Sequence, residues 1–108
     1  ILDVGMNDLM RPALYGAKHR IIPVIKTKKY SNITYEFVGP ICESSDKFLS
    51  VKKFQKLKEK ELVIICDVGA YGSSLSSNYN LRSKPAEVLV KGPKVIITKK
   101  RQKLKDFI

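Results

Sequence analysis

The sequence predicts a mainly β domain: an antiparallel or mixed β-sandwich or partly closed barrel of about six strands, with a short helix near residues 8–15 and a short C-terminal helix. Three observations carry this. Short runs rich in β-branched and aromatic residues recur along the chain, for example Ile33 to Val38 and Leu62 to Cys66. Gly, Pro, Ser and Asn punctuate the gaps between runs. With 108 residues the chain has one domain's length. A domain of that size buries about 65% of its unfolded surface and holds a core without disulfide or metal.

Taken in order, "ILDVG" (1–5) reads as a short strand ending at Gly5. Asn7 or Asp8 can cap the helix that follows, and Pro12 is tolerated in its first turn. Arg11 and Tyr15, four apart, then share a face, and Gly16 ends the helix. "RIIPVIKTKK" (20–29) is a strand candidate that Pro23 pushes toward an edge or bulge. Ile33, Tyr35 and Phe37 alternate with Thr34 and Glu36, the period of a half-buried strand. "VGPICESSD" (38–46) is a loop. Val51, Phe54 and Leu57, three apart, read as a surface turn docking three apolar side chains rather than as a membrane-binding helix. "ELVIICDVG" (61–69) is an apolar run that reads as a buried central strand, with Cys66 as a small core residue. "AYGSSLSSNYNLRSKP" (70–85) reads as a long loop of the kind that carries function. Residues 86–100 form two strands about a turn at Gly92-Pro93, and residues 101–108 a short helix or tail.

Composition narrows the function classes. No apolar run approaches the ~20 residues that span a membrane, and no leader is recognisable. The chain begins at Ile1, inside what reads as a strand, so a processed chain or the C-terminal piece of a longer protein is expected. Cys42 and Cys66 lie 24 residues apart, without clustered histidines, which excludes a tetrahedral zinc set. A reducing, cytoplasmic setting argues against joining them in a disulfide. The net charge of +11 points first to nucleic acid. The basic residues, however, are overwhelmingly lysines scattered along the chain, with Arg only at 11, 20, 82 and 101. A solvated lysine surface explains that pattern better than a basic nucleic-acid-binding module, which stays as the alternative of another class.

Three polar motifs stand at strand exits, where β scaffolds hold functional groups: "MNDLMRPALY" (6–15), "GPICESSD" (39–46) and "DVGAYGSSLSSNYN" (67–80). Arg11 offers a planar fork for a carboxylate, Tyr15 and Tyr71 offer hydroxyls, and Glu43 offers a counter-charge for an ammonium group. Cys42 offers a thiol, a group whose ordinary pKa of ~8.5 suits proton donation near neutrality. Together they suit an amino-acid-like substrate. Singly, each is as readily a surface or core-edge residue. A Cys42–His19 dyad is conceivable, but nothing in the sequence orients the histidine.

"DVGMNDLMRPALYGAKH", "VGPICESSD", "CDVGAYGSSLSSNYN" and "KPAEVLV", in this order and spacing, resemble the C-terminal part of the diaminopimelate decarboxylases, and the resemblance covers nearly the whole chain. These are pyridoxal-phosphate-dependent enzymes of lysine biosynthesis, of the alanine racemase and ornithine decarboxylase-like superfamily. Ornithine-type relatives would be expected to carry Cys-Asp where this chain has Cys42-Glu43. The resemblance implies that residues 1–108 form the β-domain of a two-domain homodimer, preceded by a cofactor-binding (β/α)8 barrel that this chain lacks. It also implies an active site shared across subunits, to which the Cys-Glu loop contributes in the partner, and no role for nucleic acid, membrane or metal. The reaction implied converts meso-2,6-diaminopimelate to L-lysine with release of carbon dioxide. A decarboxylase of another basic amino acid is the nearest alternative. Arg11 and Tyr15 match the substrate-binding pair, and Cys42 the donor of a proton once carbon dioxide has left. Glu43 matches a contact to the distal amino group, and Tyr71 a residue touching both cofactor and substrate. The Schiff-base lysine belongs to the barrel, so the fragment alone is expected to be inactive. Two departures from the family pattern, Lys60-Glu61 before the apolar run and Arg82-Ser83-Lys84-Pro85 after "SSNYN", concern loop geometry and not the matched positions.

Overall fold

The structure, a computed structural model, describes residues 1–69 and 71–108. Among the described residues there are six short strands: β1 (Ile21–Pro23), β2 (Tyr35–Val38), β3 (Lys47–Val51), β4 (Val63–Ile65), β5 (Glu87–Lys91) and β6 (Lys94–Lys99). They pair antiparallel as β1–β4, β2–β3 and β5–β6, giving three separate two-stranded ladders. The mainly β class is therefore found. Among the described residues no strand joins two ladders, so no sheet closes on itself.

The six strands are not all the expected ones. Residues 1–5 form no strand and bend at Asp3, and one ladder-like bond links them to β2, from Leu2 N–H to the Val38 carbonyl at 2.8 Å. In their place stands β3, hidden in the sequence by flanking polar residues although Phe48 is buried in it. β4 is not a central strand. It pairs only with β1, and Ile64 faces outward, 45% exposed, while Val63 and Ile65 pack on the core. Cys66, expected as core, is half-buried just beyond β4.

Two short helices flank the ladders. α1 (Arg11–Tyr15) starts at Met10 without a side-chain cap; Asp8, expected as a possible cap, instead accepts the Gly5 N–H at 3.0 Å. Pro12 sits in the first turn and Gly16, at φ 66°, ends the helix with its N–H on carbonyls of that turn. α2 (Gly69–Leu75) and a 3-10 turn (Tyr79–Leu81) occupy the segment expected as loop. Gly and Ser are weak helix formers, so local propensity concealed α2. Tertiary packing holds it: a Cβ on Gly72 would sit 3.6 Å from Leu9 Cδ1.

Leu9, Ile21, Phe37, Phe48 and Phe54 form the buried core, with Phe37 and Phe54 edge-on at 5.0 Å between centroids. Val51 and Leu57 pack beside it as expected, Val51 from within β3. The β5–β6 hairpin stands off this core with every residue exposed. Gly92, at φ 58°, supplies the backbone its two-residue turn requires. The radius of gyration, 14.9 Å, exceeds the about 13 Å of a compact chain of this length. Ser73 Oγ donates to Glu87 at 2.6 Å and ties the hairpin base to α2; this bond first of all, opposed by burial and aided to a lesser degree by Lys99, holds the Glu87 carboxyl below its ordinary value. The chain closes in a single 3-10 turn, Leu104–Asp106.

Candidate functional site

The segment before α1 is a tight turn. The N–H groups of Asp8 and Leu9 both donate to the Gly5 carbonyl, and Asn7 is wholly buried. This turn aims α1 so that the Arg11 guanidinium lies over the Tyr71 ring of α2, 6.0 Å from its centroid. Tyr71 is 70% exposed and Tyr15, one turn on from Arg11, is 66% exposed. A fork-shaped cation and a phenol ring thus stand on one surface formed by α1 and α2, with the exposed Tyr15 four residues on along α1. That arrangement can hold a carboxylate by paired N–H donors and present a flat aromatic face to a second group.

Cys42 and Glu43 sit on a different surface feature, the loop between β2 and β3. Both are exposed. The loop is built around Asp46, a carboxylate only 2% exposed. Its Oδ2 accepts from Ile41 N–H at 2.7 Å and its Oδ1 from Met6 N–H at 2.8 Å. Gly39 permits this approach, since a Cβ there would fall 2.3–2.5 Å from the Asp46 carboxylate. Among the described residues no hydrogen bond or ring contact joins Cys42 or Glu43 to Arg11, Tyr15 or Tyr71. The five sequence-predicted residues therefore fall into two groups, one on the helices and one on the loop.

One residue of this region escaped the sequence reading. The Tyr79 hydroxyl donates to a Glu43 carboxylate oxygen. That bond and then the Glu43 charge, with burial a lesser cause, raise the Tyr79 pKa. The turn carrying Tyr79 is strained, with Asn80 and Leu81 at φ 57° and 55°. It is anchored by the Asn78 amide, which donates to the Arg82 carbonyl at 2.9 Å and to Gln102 Oε1 at 2.5 Å. The partners lie 36 residues apart, so no local pattern announces the contact.

His19 is buried, with Nδ1 3.0 Å from the Cys66 carbonyl; as a carbonyl only accepts, the proton is on Nδ1. That contact ties the imidazole to the end of β4 as a structural group, and no Cys42–His19 pair forms. Cys42 and Cys66 are both free thiols. Among the described residues, no group of three or more His, Cys, Asp or Glu converges to hold a metal, and no helix is long and apolar enough to cross a membrane.

Pyridoxal phosphate needs an amine, a cradle of N–H groups for its phosphate and a partner for its ring nitrogen. Arg11 and the open face of Tyr71 fit one edge of such a group. No lysine shares their surface in a ring or hydrogen-bond contact, among the described residues. The fit is thus to a margin of the cofactor and not to its attachment.

Comparison with known proteins gives a consistent result. The family described as "Pyridoxal-dependent decarboxylase, C-terminal sheet domain" matches residues 1–69. The diaminopimelate decarboxylase of Haemophilus influenzae is 42% identical over 107 residues, which cover 99% of this chain and 26% of that protein. That of Neisseria meningitidis serogroup B is 45% identical over 106 residues, covering 98% and 25%. Among solved structures, diaminopimelate decarboxylase from M. jannaschii superposes with a TM-score of 0.88 at 38% identity, over 96% of this chain and 24% of that one. The Helicobacter pylori enzyme complexed with L-lysine gives 0.85 at 42% identity, over 96% and 25%. The chain spans about a quarter of the length of these relatives.

Proposed function

As the chain belongs to the pyridoxal-dependent decarboxylase family, matching its C-terminal sheet domain, we propose that it is the β-domain of a diaminopimelate decarboxylase. The full protein would convert meso-2,6-diaminopimelate to L-lysine and carbon dioxide, as a cytoplasmic homodimer, with the remaining three quarters forming the cofactor-binding barrel. Pyridoxal phosphate supplies the electron sink that makes loss of carbon dioxide accessible.

The observation that carries the reading is the division of the site residues. Arg11 and Tyr71 meet across α1 and α2, and neither is joined by a hydrogen bond or ring contact to the exposed Cys42–Glu43 loop among the described residues. Such a division supports an active site assembled from two copies of the domain. One copy would contribute Arg11, Tyr15 and Tyr71, and the other Cys42 and Glu43. Arg11 and Tyr15 bind a substrate carboxylate, and Tyr71 adjoins cofactor and substrate. Glu43 receives the distal ammonium group. The Cys42 thiol, exposed at the loop's tip, gives its proton to the substrate carbon that has lost carbon dioxide.

The test is Cys42→Ala in the full-length protein. A missing general acid costs typically ~10²–10⁴ in rate, so kcat should fall by about that factor while KM for diaminopimelate changes little. An unchanged kcat removes the role given to the thiol. The 108-residue domain alone should show no turnover. Comparing kcat/KM for diaminopimelate with that for ornithine and arginine separates this reading from a decarboxylase of another basic amino acid.

A further inference from the structure

We propose that Asp46 is a positioning residue for the Cys42 thiol. It locks the Cys42–Glu43 loop to the turn that leads into α1. The proposal deepens the reading above, on which it rests for the role of the thiol.

Asp46 is the most buried carboxylate described, and neither salt bridge found among the described residues includes it. Its side-chain partners are backbone N–H groups. Oδ2 takes Ile41 N–H, immediately before Cys42; Oδ1 takes Met6 N–H, five residues before Arg11. Its own backbone closes the loop from within: Asp46 N–H donates to the Glu43 carbonyl at 3.1 Å, and its carbonyl accepts from Gly39 N–H at 2.9 Å. Cys42 thus lies between two residues held by Asp46, with its own side chain free at the surface.

Burying a carboxylate away from any cation is costly, and a loop needing only one bond could use a neutral residue. The carboxylate is suited here because it accepts at both oxygens. An amide offers one acceptor and would turn its NH2 group against the other N–H. One side chain therefore sets the loop bearing the thiol relative to the segment bearing Arg11 and Tyr15. Gly39 belongs to the same device, since any side chain there would displace the carboxylate.

The experiment uses the full-length, cofactor-loaded protein with Asp46→Asn and, separately, Gly39→Ala. The second variant reaches the same carboxylate without altering it. Steady-state kinetics are measured together with the rate at which iodoacetamide alkylates Cys42, with Cys66 in the same sample as reference. Misplacing a reacting group by ~1 Å costs about 100-fold, so kcat should fall roughly ten- to a hundred-fold with KM nearly unchanged. The Cys42:Cys66 alkylation ratio should shift at least about three-fold, as thiol reactivity follows its surroundings. Folded variants with unchanged kcat and unchanged alkylation ratio would overturn the proposal. So would a loss of melting temperature and activity with the ratio unmoved, which marks a purely structural role. If Cys42→Ala leaves kcat intact, the role of the thiol falls, and the alkylation ratio alone then decides whether Asp46 orients the loop.

Discussion

Glu43 illustrates what a residue's neighbours add to its chemistry. The sequence offers it as a free carboxylate for an ammonium group; the fold gives it the Tyr79 hydroxyl as a partner. The hydrogen bond favours the neutral phenol, so the Tyr79 pKa lies above its ordinary value of 10.0. With a raised folded-state value, the pair's contribution is fully present below pH 10.0 and is lost as pH rises through that higher value. Following the Tyr79 ring signals by NMR should therefore show a titration midpoint above 10.0, and Glu43→Gln should bring it down. A midpoint that ignores the substitution would mean that the two side chains are not partnered in solution. Cys42, Glu43, Arg11 and Tyr15 could be singled out as candidates because each lies in a motif that is local in sequence. Tyr79 was not, because its meaning depends on a residue 36 positions away.

At the scale of elements, the turn chemistry was the most readable feature. Gly16 ends α1 and Gly92 turns the hairpin, both at positive φ, as their neighbours in the sequence imply. Nothing lies within 4 Å of the space a Cβ would take at Gly16, so Gly16→Ala isolates the backbone cost. A left-handed alanine costs about 1 kcal/mol. Urea unfolding of the variant should show a loss of that size, and no loss would mean that the helix ends differently in solution. What propensity concealed was decided by packing. α2 forms from Gly and Ser with Gly72 buried on the side of the core residue Leu9. β3 forms between lysines because Phe48 and Leu49 reach the core. The run at 61–69 looked buried because Val63, Ile64 and Ile65 are all apolar, yet β4 has a single neighbour and only alternate residues face inward.

Over the whole molecule, apolar surface and charge are distributed in a telling way. Val88, Val90, Val95 and Ile97 share one face of the β5–β6 hairpin, as their register shows, and each is more than half exposed. A contiguous exposed patch of this kind marks a contact surface. The isolated domain should enhance the fluorescence of anilinonaphthalene sulfonate, and Val90→Lys with Ile97→Lys should remove most of the signal. Equal signal from both proteins would place the dye elsewhere. Lysine-rich stretches surround this face, with Lys91 and Lys94 at the turn, Lys99 at the end of β6 and Lys100 and Arg101 beyond it, and such charge keeps an exposed edge from pairing with a neighbour. The three ladders, finally, have no strand in common. The β1–β4 and β2–β3 ladders share one core all the same, whereas the β5–β6 hairpin stands off it, so the hairpin should open as a separate unit before the other two ladders are lost together. Amide exchange should then sort into distinct protection classes. The hairpin amides should exchange fastest and those of β2 and β3, over Phe37 and Phe48, slowest.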